Sequence, residues 1–492
     1  MNGIESVFDA LRRADTGRPA LIGRRTVIYG RLAGEVDAVT AGLQAAGMEP
    51  GDAVIFTVRP SIEAIVLILA IVRCGGVVVA ADPGMSPELF SARIAPLRPR
   101  WVMTESVLYL LARVGPARSA LERRGVRLPN FDVPGARRVL VGAGPGLTYS
   151  ALAATRSAPQ PCDVAPEAPA FVAFTSGTTA APKGVIHSRR SISAGLDMVS
   201  GLLALRPDDR VYSDQLHMIV PALLAGATCL IRSGARGELE RFQPTHAFWV
   251  PARLNAILDA GVPPSLRTIV FGSAPAPSGF LQRCVQFLPA DSRVYIAYAL
   301  TEMLPVAWVE MGEKLAFAGD GDLLGCPCPG VRLRIDDEGE IFASGPNLCT
   351  SYIGSPPMQE VATGDIGRFD GGRLVLMGRK KNMIIRGDLN IYPELIEGVA
   401  AGVPGVRRCA MVGLYQEQLA DELAVLAVEP ADGVDAATLE VRVRRALWEG
   451  PHRIDVAARP DLILTTRVPL QGRSSKVDRE SLRALLRPKL AC

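Results

Sequence analysis

The sequence predicts an α/β fold, with a large N-terminal domain of sheets flanked by helices and a small C-terminal α/β domain. Three observations carry the prediction. A chain of 492 residues is too long for one compact core. Between Arg18 and Pro99 strand-like and helix-like stretches alternate, which is the pattern of parallel sheet covered by helices. Past residue 380 a separate compact α/β pattern begins, dividing the chain into 1–379 and 380–492.

Taken in order, Arg25–Tyr29 reads as a strand, Leu32–Ala46 as a helix and Gly47–Asp52 as a turn. Ala53–Val58 is a nearly continuous apolar strand, Ser61–Arg73 a helix and Val77–Ala81 another strand. The apolar run Ala64–Val72 stops at Arg73 and Gly75-Gly76, much too short to span a bilayer, so it predicts a buried helix. Residues 115–167 are rich in Arg, Pro and Gly with little periodicity, and read as a surface connection. Ala168–Phe174 is an apolar strand, Ser191–Leu205 a helix, Val211–Ile231 a mixed stretch containing His217, and Arg267–Gly272 a strand. In the C-terminal part, Pro393–Ala401 and Ala436–Leu447 read as helices, with strands at Cys409–Leu414, Glu422–Val428 and Asp461–Leu464.

Composition narrows the function classes. With Lys+Arg 54 against Asp+Glu 50 the net charge is +4, and no basic block marks a nucleic-acid surface. The N-terminus has early acidic residues and no apolar segment, so a secretory signal is not expected and the chain reads as cytoplasmic. Nine cysteines are scattered, and Cys326 and Cys328 form a CxC without a second cluster. The four histidines lack ligand spacing, so no zinc site is assigned.

The chemistry concentrates in Phe174–Val185, FTSGTTAAPKGV, which places Thr175, Ser176, Thr178, Thr179, Gly177, Gly184 and Lys183 directly after an apolar strand. Glycines let the backbone approach an anion, hydroxyls donate hydrogen bonds and lysine offsets phosphate charge. It is not a Walker A loop, because no Gly-Lys-Ser/Thr follows the glycines. Alone, such a string also suits a polar turn between strand and helix.

The string resembles the phosphate-loop signature of the adenylate-forming superfamily, departing at Ala180, where glycine is usual. Further motifs extend the resemblance over essentially the whole chain. Gly272-Ser273-Ala274-Pro275 looks like the family's turn against adenine. Tyr298-Ala299-Leu300-Thr301-Glu302 is similar to its Tyr-Gly-x-Thr-Glu, with Ala299 in the glycine's place. The resemblance implies that Tyr298 stacks on adenine, Thr301 donates to the α-phosphate and Glu302 holds Mg²⁺. It makes Asp365 of Gly364-Asp365 the ribose ligand. The stretch Met377–Glu397 resembles the hinge motif, which gives Arg379 to ribose or phosphate, places Lys381 at the hinge and adds Arg386 and Gly387 to the nucleotide site. Arg467–Arg479 resembles the family's C-terminal tail, with Lys476 reaching carboxylate and α-phosphate. The implied catalytic set is Lys476, Thr175, Glu302 and His217, the last bordering an acyl pocket.

What this resemblance implies is an ATP- and Mg²⁺-dependent ligase that activates a small carboxylic acid as its adenylate and passes it to CoA, the small domain acting as a mobile lid. The expected substrate is a medium or long apolar acid, as in acyl-CoA synthetases. Asp388 stands where many CoA ligases carry glycine beside the thiol channel, which leaves an acyl carrier protein or the substrate's own hydroxyl as alternative acceptors. Thr301–Val306 and the short His217–Gly226 segment look like features of β-lactone synthetases in this superfamily. The substitutions Ala180, Ala299, Asp388 and Ser475 keep open a degenerate nucleotide-binding relative without turnover.

Overall fold

The computed structural model describes residues 6–81, 87–123, 128–174, 183–213, 215–231, 237–272, 276, 278–386, 389–416, 421–449, 458–471 and 476–490. Within them two large sheets build the N-terminal part. One has eight strands, whose neighbours run Ser351–Tyr352, Gly184–Ser188, Pro169–Phe174, Val77–Ala80, Ala53–Phe56, Trp101–Glu105, Arg137–Val141 and Leu147–Thr148. From Pro169–Phe174 onward these are parallel, while Gly184–Ser188 returns antiparallel beside Pro169–Phe174. The other sheet has thirteen strands, with a parallel run through Arg210–Tyr212, His246–Trp249, Thr268–Gly272 and Arg293–Tyr298 that continues into antiparallel strands as far as Arg332–Ile335.

The central parallel strands Ala53–Phe56 and Val77–Ala80 are apolar throughout because both their faces are covered. Val54, Phe56, Trp101 and Met103 enter the main core between the sheets, together with helices Tyr29–Ala45, Ile62–Arg73, Arg189–Leu203 and Leu216–Leu224. The alternate residues Ile55 and Val102 pack on the opposite face with Phe90, Tyr109 and Phe131. Ser188 starts the helix Arg189–Leu203 by accepting a hydrogen bond from the Ser191 amide at 3.1 Å.

Two sequence expectations are corrected here. Residues 115–167 are not merely a surface connection, since Arg137–Val141 is an internal parallel strand with Val139 and Leu140 fully buried. Its two leading arginines and short apolar part conceal it in the sequence. The first predicted strand shortens to Thr26–Ile28 and pairs antiparallel with Pro19–Ile22 in the thirteen-stranded sheet. The alternation that looked like one sheet therefore crosses between two, because helix Tyr29–Ala45 lies in the core both sheets share.

The smaller C-terminal domain has a three-stranded sheet of Val406–Gln416, Asp421–Pro430 and Leu462–Thr465. Helices Pro393–Ala401 and Ala436–Glu449 contribute to one core and Arg479–Leu490 to a second. No helix among the described residues is long and apolar enough to cross a membrane.

Candidate active site

Strand Pro169–Phe174 ends where the glycine- and hydroxyl-rich loop begins. Thr175, Ser176, Gly177, Thr178 and Thr179 lie outside the described residues, as do Ser273, Ala274 and Gly387. Lys183 immediately precedes the returning strand Gly184–Ser188, and its ammonium sits 4.8 Å from the ring centroid of Tyr352. The hydroxyl of the same tyrosine donates to Glu302 Oε1 at 2.8 Å. Burial first, then Glu302, pushes the Tyr352 phenol up, so it remains a protonated donor. One ring thus bridges the predicted phosphate lysine and the predicted magnesium ligand. Sequence reasoning passes over Tyr352, whose signal was its register beside the loop: it pairs with Val185 across the antiparallel strands.

Thr301 is exposed, and its carbonyl lies 2.8 Å from His187 Nε2. A carbonyl can only accept, so that nitrogen carries the proton. Burial holds the His187 imidazole below its usual pKa, which keeps it neutral near pH 7. This second missed residue ties the strand after the loop to the Thr301-Glu302 turn.

A second group joins Tyr298, at the end of strand Arg293–Tyr298, to the antiparallel pair Val361–Asp370 and Arg373–Arg379 of the same sheet. Asp365 and Arg379 are register partners, and Arg379 Nε stands 2.6 Å from Asp365 Oδ1. The Tyr298 hydroxyl donates to the other carboxylate oxygen at 2.6 Å. Asp365 is fully buried. Burial pushes its carboxyl above the usual range, with Arg379 and Tyr298 pulling it back, while burial and Asp365 hold Tyr298 protonated. Ala299 follows half-buried. Gly272 ends the neighbouring strand Thr268–Gly272, and a Cβ there would lie 2.8 Å from the Ala297 carbonyl oxygen, so backbone contact requires glycine.

His217 meets Phe248 edge-on, with ring centroids 4.8 Å apart. Phe248, Tyr295 and Ala297 pack on the core between the sheets, so His217 borders that side of the thirteen-stranded sheet. Arg386 is placed differently from the other predicted nucleotide ligands. It donates to the Arg459 carbonyl at 3.0 Å and pairs with Asp461 at 2.8 Å, both within the C-terminal domain. Lys476 is exposed on the small strand Lys476–Val477. Its charge nevertheless reaches the hinge: burial, then Arg379, Lys476 and Arg479, lower the pKa of Lys381.

The donor set suits magnesium brought in on nucleotide phosphates. Such an ion takes one or two protein carboxylates and fills its remaining positions with phosphate and water, and Glu302 offers one carboxylate. Among the described residues no group of three or more His, Cys, Asp or Glu could form an all-protein cage.

Lys183 and Glu302 gathered on Tyr352, with the buried carboxylate of Asp365 held between Tyr298 and Arg379, fit the adenylate-forming class. The chain belongs to the AMP-binding enzyme family, whose model matches residues 8–353. It is 28% identical to an olefin β-lactone synthetase of Xanthomonas campestris pv. campestris, over 88% of this chain and 86% of that protein. It is 26% identical to a fatty acid–[acyl-carrier-protein] ligase of Mycobacterium marinum, over 96% of this chain and 94% of that protein. The fold matches O-succinylbenzoate coenzyme A synthetase of Bacillus subtilis, in complex with ATP and magnesium ion, with a TM-score of 0.77, 19% identity and coverage of 97% and 99%.

Proposed function

We propose that the protein uses ATP to activate a medium or long apolar carboxylic acid as its acyl-adenylate and then passes the acyl group to the thiol of CoA. The observation that carries this reading is Tyr352, with Lys183 over its face and Glu302 on its hydroxyl, Glu302 following four residues after Tyr298 of the Tyr298–Asp365–Arg379 group. A carboxylate oxygen attacks the α-phosphorus as the bond to pyrophosphate breaks. Two anions meet there, so cationic stabilisation matters more than a base. Lys183 and the loop Thr175–Thr179 hold the phosphates, and Lys476 offsets charge at the α-phosphorus. Magnesium, when bound through Glu302, supplies further positive charge to the phosphates.

Asp365 accepts from the ribose hydroxyls, with Arg379 and Tyr298 fixing its orientation. Tyr298, Ala299, Gly272, Ser273 and Ala274 frame adenine, and Thr301 faces the α-phosphate. His217 with Phe248 borders the acyl pocket. In the second step the small domain, residues 380–492, swings about Lys381 and the CoA sulfur attacks the acyl carbonyl, releasing AMP. The ion pair to Asp461 argues for Arg386 as a brace within the small domain.

A second reading, closure of a β-hydroxy acyl-adenylate to a β-lactone, is favoured by the full-length similarity to the olefin β-lactone synthetase. Pyrophosphate release is measured with a panel of acids, and products are then identified by mass with CoA present or omitted. A CoA-dependent thioester supports the first reading and a CoA-independent lactone the second. Nucleotide binding without pyrophosphate release from any acid would overturn both in favour of a binding protein without turnover.

A further inference from the structure

Taking Lys476 as the α-phosphate lysine of the reading above, we infer that Arg479 is its positioning residue, tying the Lys476 turn to the hinge helix so that lysine and hinge move as one body. Arg479 begins the helix Arg479–Leu490, three residues after Lys476. Its side chain is only 12% exposed, and its Nη2 lies 2.9 Å from Glu397 and 3.5 Å from Glu394. Those two carboxylates stand three residues apart on helix Pro393–Ala401, hence on one face. Neither is held by Arg479 alone. Glu394 Oε1 also accepts from Asn382 Nδ2 at 2.7 Å, and Glu397 Oε1 accepts from the Met411 amide at 2.6 Å.

Asn382 belongs to the short turn Lys380–Asn382, where the two domains join. At the other end of that turn Lys380 bonds Glu338 at 2.7 Å and Glu340 at 2.9 Å, both in the large domain. The hinge is therefore gripped by opposite partners on its two sides. The small-domain grip runs from Asn382 through Glu394 to Arg479 and so to the turn bearing Lys476. Asp478 caps the start of helix Arg479–Leu490, accepting from the Ser481 amide at 3.0 Å and hydroxyl at 2.7 Å. A lysine on an exposed strand has many orientations, and the buried guanidinium three residues away fixes where its backbone starts.

The test uses the full chain and ATP–pyrophosphate exchange with dodecanoate, or with the best acid of the panel. Arg479→Gln is expected to lower kcat for exchange about tenfold, the usual effect of losing one charged hydrogen bond, with KM for ATP within about twofold of wild type. Arg479→Lys restores most of the loss. The deciding measurement is the double variant of Arg479→Gln with Lys476→Ala. If Arg479 acts through Lys476, the double variant equals Lys476→Ala alone. A further drop below that single variant, or unchanged exchange in Arg479→Gln, overturns the inference. Should Arg479→Gln fail to fold, Glu394→Gln keeps the side-chain shape and is read by the same cycle. Wild-type exchange in Lys476→Ala would mark failure of the underlying functional reading rather than of the Arg479 contacts.

Discussion

At the scale of single residues, Tyr352 does what no sequence motif assigned to it. It holds Lys183 over the face of its ring and Glu302 on its hydroxyl, so one side chain contacts both. Tyr352→Phe retains the face for Lys183 and frees Glu302, and ATP–pyrophosphate exchange is expected to fall about tenfold, in line with the loss of one hydrogen bond to a charged group. Exchange at the wild-type rate would remove Tyr352 from the site. Lys476→Ala is expected to lower exchange by about 10² to 10³ while ATP binding, followed by calorimetry, stays largely intact. Lys183, Glu302, Tyr298, Asp365 and Arg379 were named from the sequence because the strings around them resemble the family's motifs, and the structure brings them into two side-chain groups. Tyr352 and His187 were not, because their contribution depends on which strand lies beside which.

At the scale of elements, close backbone approach and buried charge decide stability. Strand Asp322–Pro327 changes register between Leu323 and Gly325, and Gly325 has φ +85 with the Trp308 carbonyl oxygen 2.1 Å from where a Cβ would sit. Gly325→Ala is therefore expected to destabilise the protein by more than about 1 kcal/mol, seen as a lower midpoint in thermal unfolding. Helix Pro393–Ala401 carries the opposite kind of liability. Burial pushes the Glu397 carboxyl up from 4.5 to about 7, against Arg479 and the Met411 amide, with Glu394 adding to the rise. The unfolded chain gives up this proton near pH 4.5 and the folded chain only near 7. The group's contribution to stability is thus complete below 4.5 and is lost as pH rises through 7, by up to about 3 kcal/mol. Glu397→Gln should flatten the fall in melting temperature over that window; an unchanged pH profile would show that Glu397 is already ionised in the fold. Most helices and strands were readable from periodicity, whereas Arg137–Val141 was hidden by its length and its arginines.

At the scale of the whole molecule, the proposed function divides at Arg379 and Lys380, with nucleotide binding assigned to the large part and turnover requiring the small one. The large part holds Asp365, Tyr298, Lys183 and Glu302 and has its own cores, while Lys476 and its support lie beyond the hinge. A chain ending at residue 379 is expected to bind ATP, seen as a thermal shift, and to lose exchange to the level of Lys476→Ala. Exchange by that fragment at the full-length rate would show that the small domain has no part in the first step.

The order of residue types along the chain determined the class: an apolar strand feeding a loop of glycines and hydroxyls, acids and a lysine at fixed later positions, and a compact unit after the hinge. Those are local properties, set by side-chain chemistry and by hydrophobic period. Only the tertiary structure decided that Thr26–Ile28 and Ala53–Phe56 lie in different sheets, that Arg386 pairs with Asp461, that Tyr352 lies between Lys183 and Glu302, and that Arg479 pairs with Glu394 and Glu397. Such pairings join positions tens of residues or more apart, and which of them form depends on how the two large sheets share a core and how the small domain packs on its own.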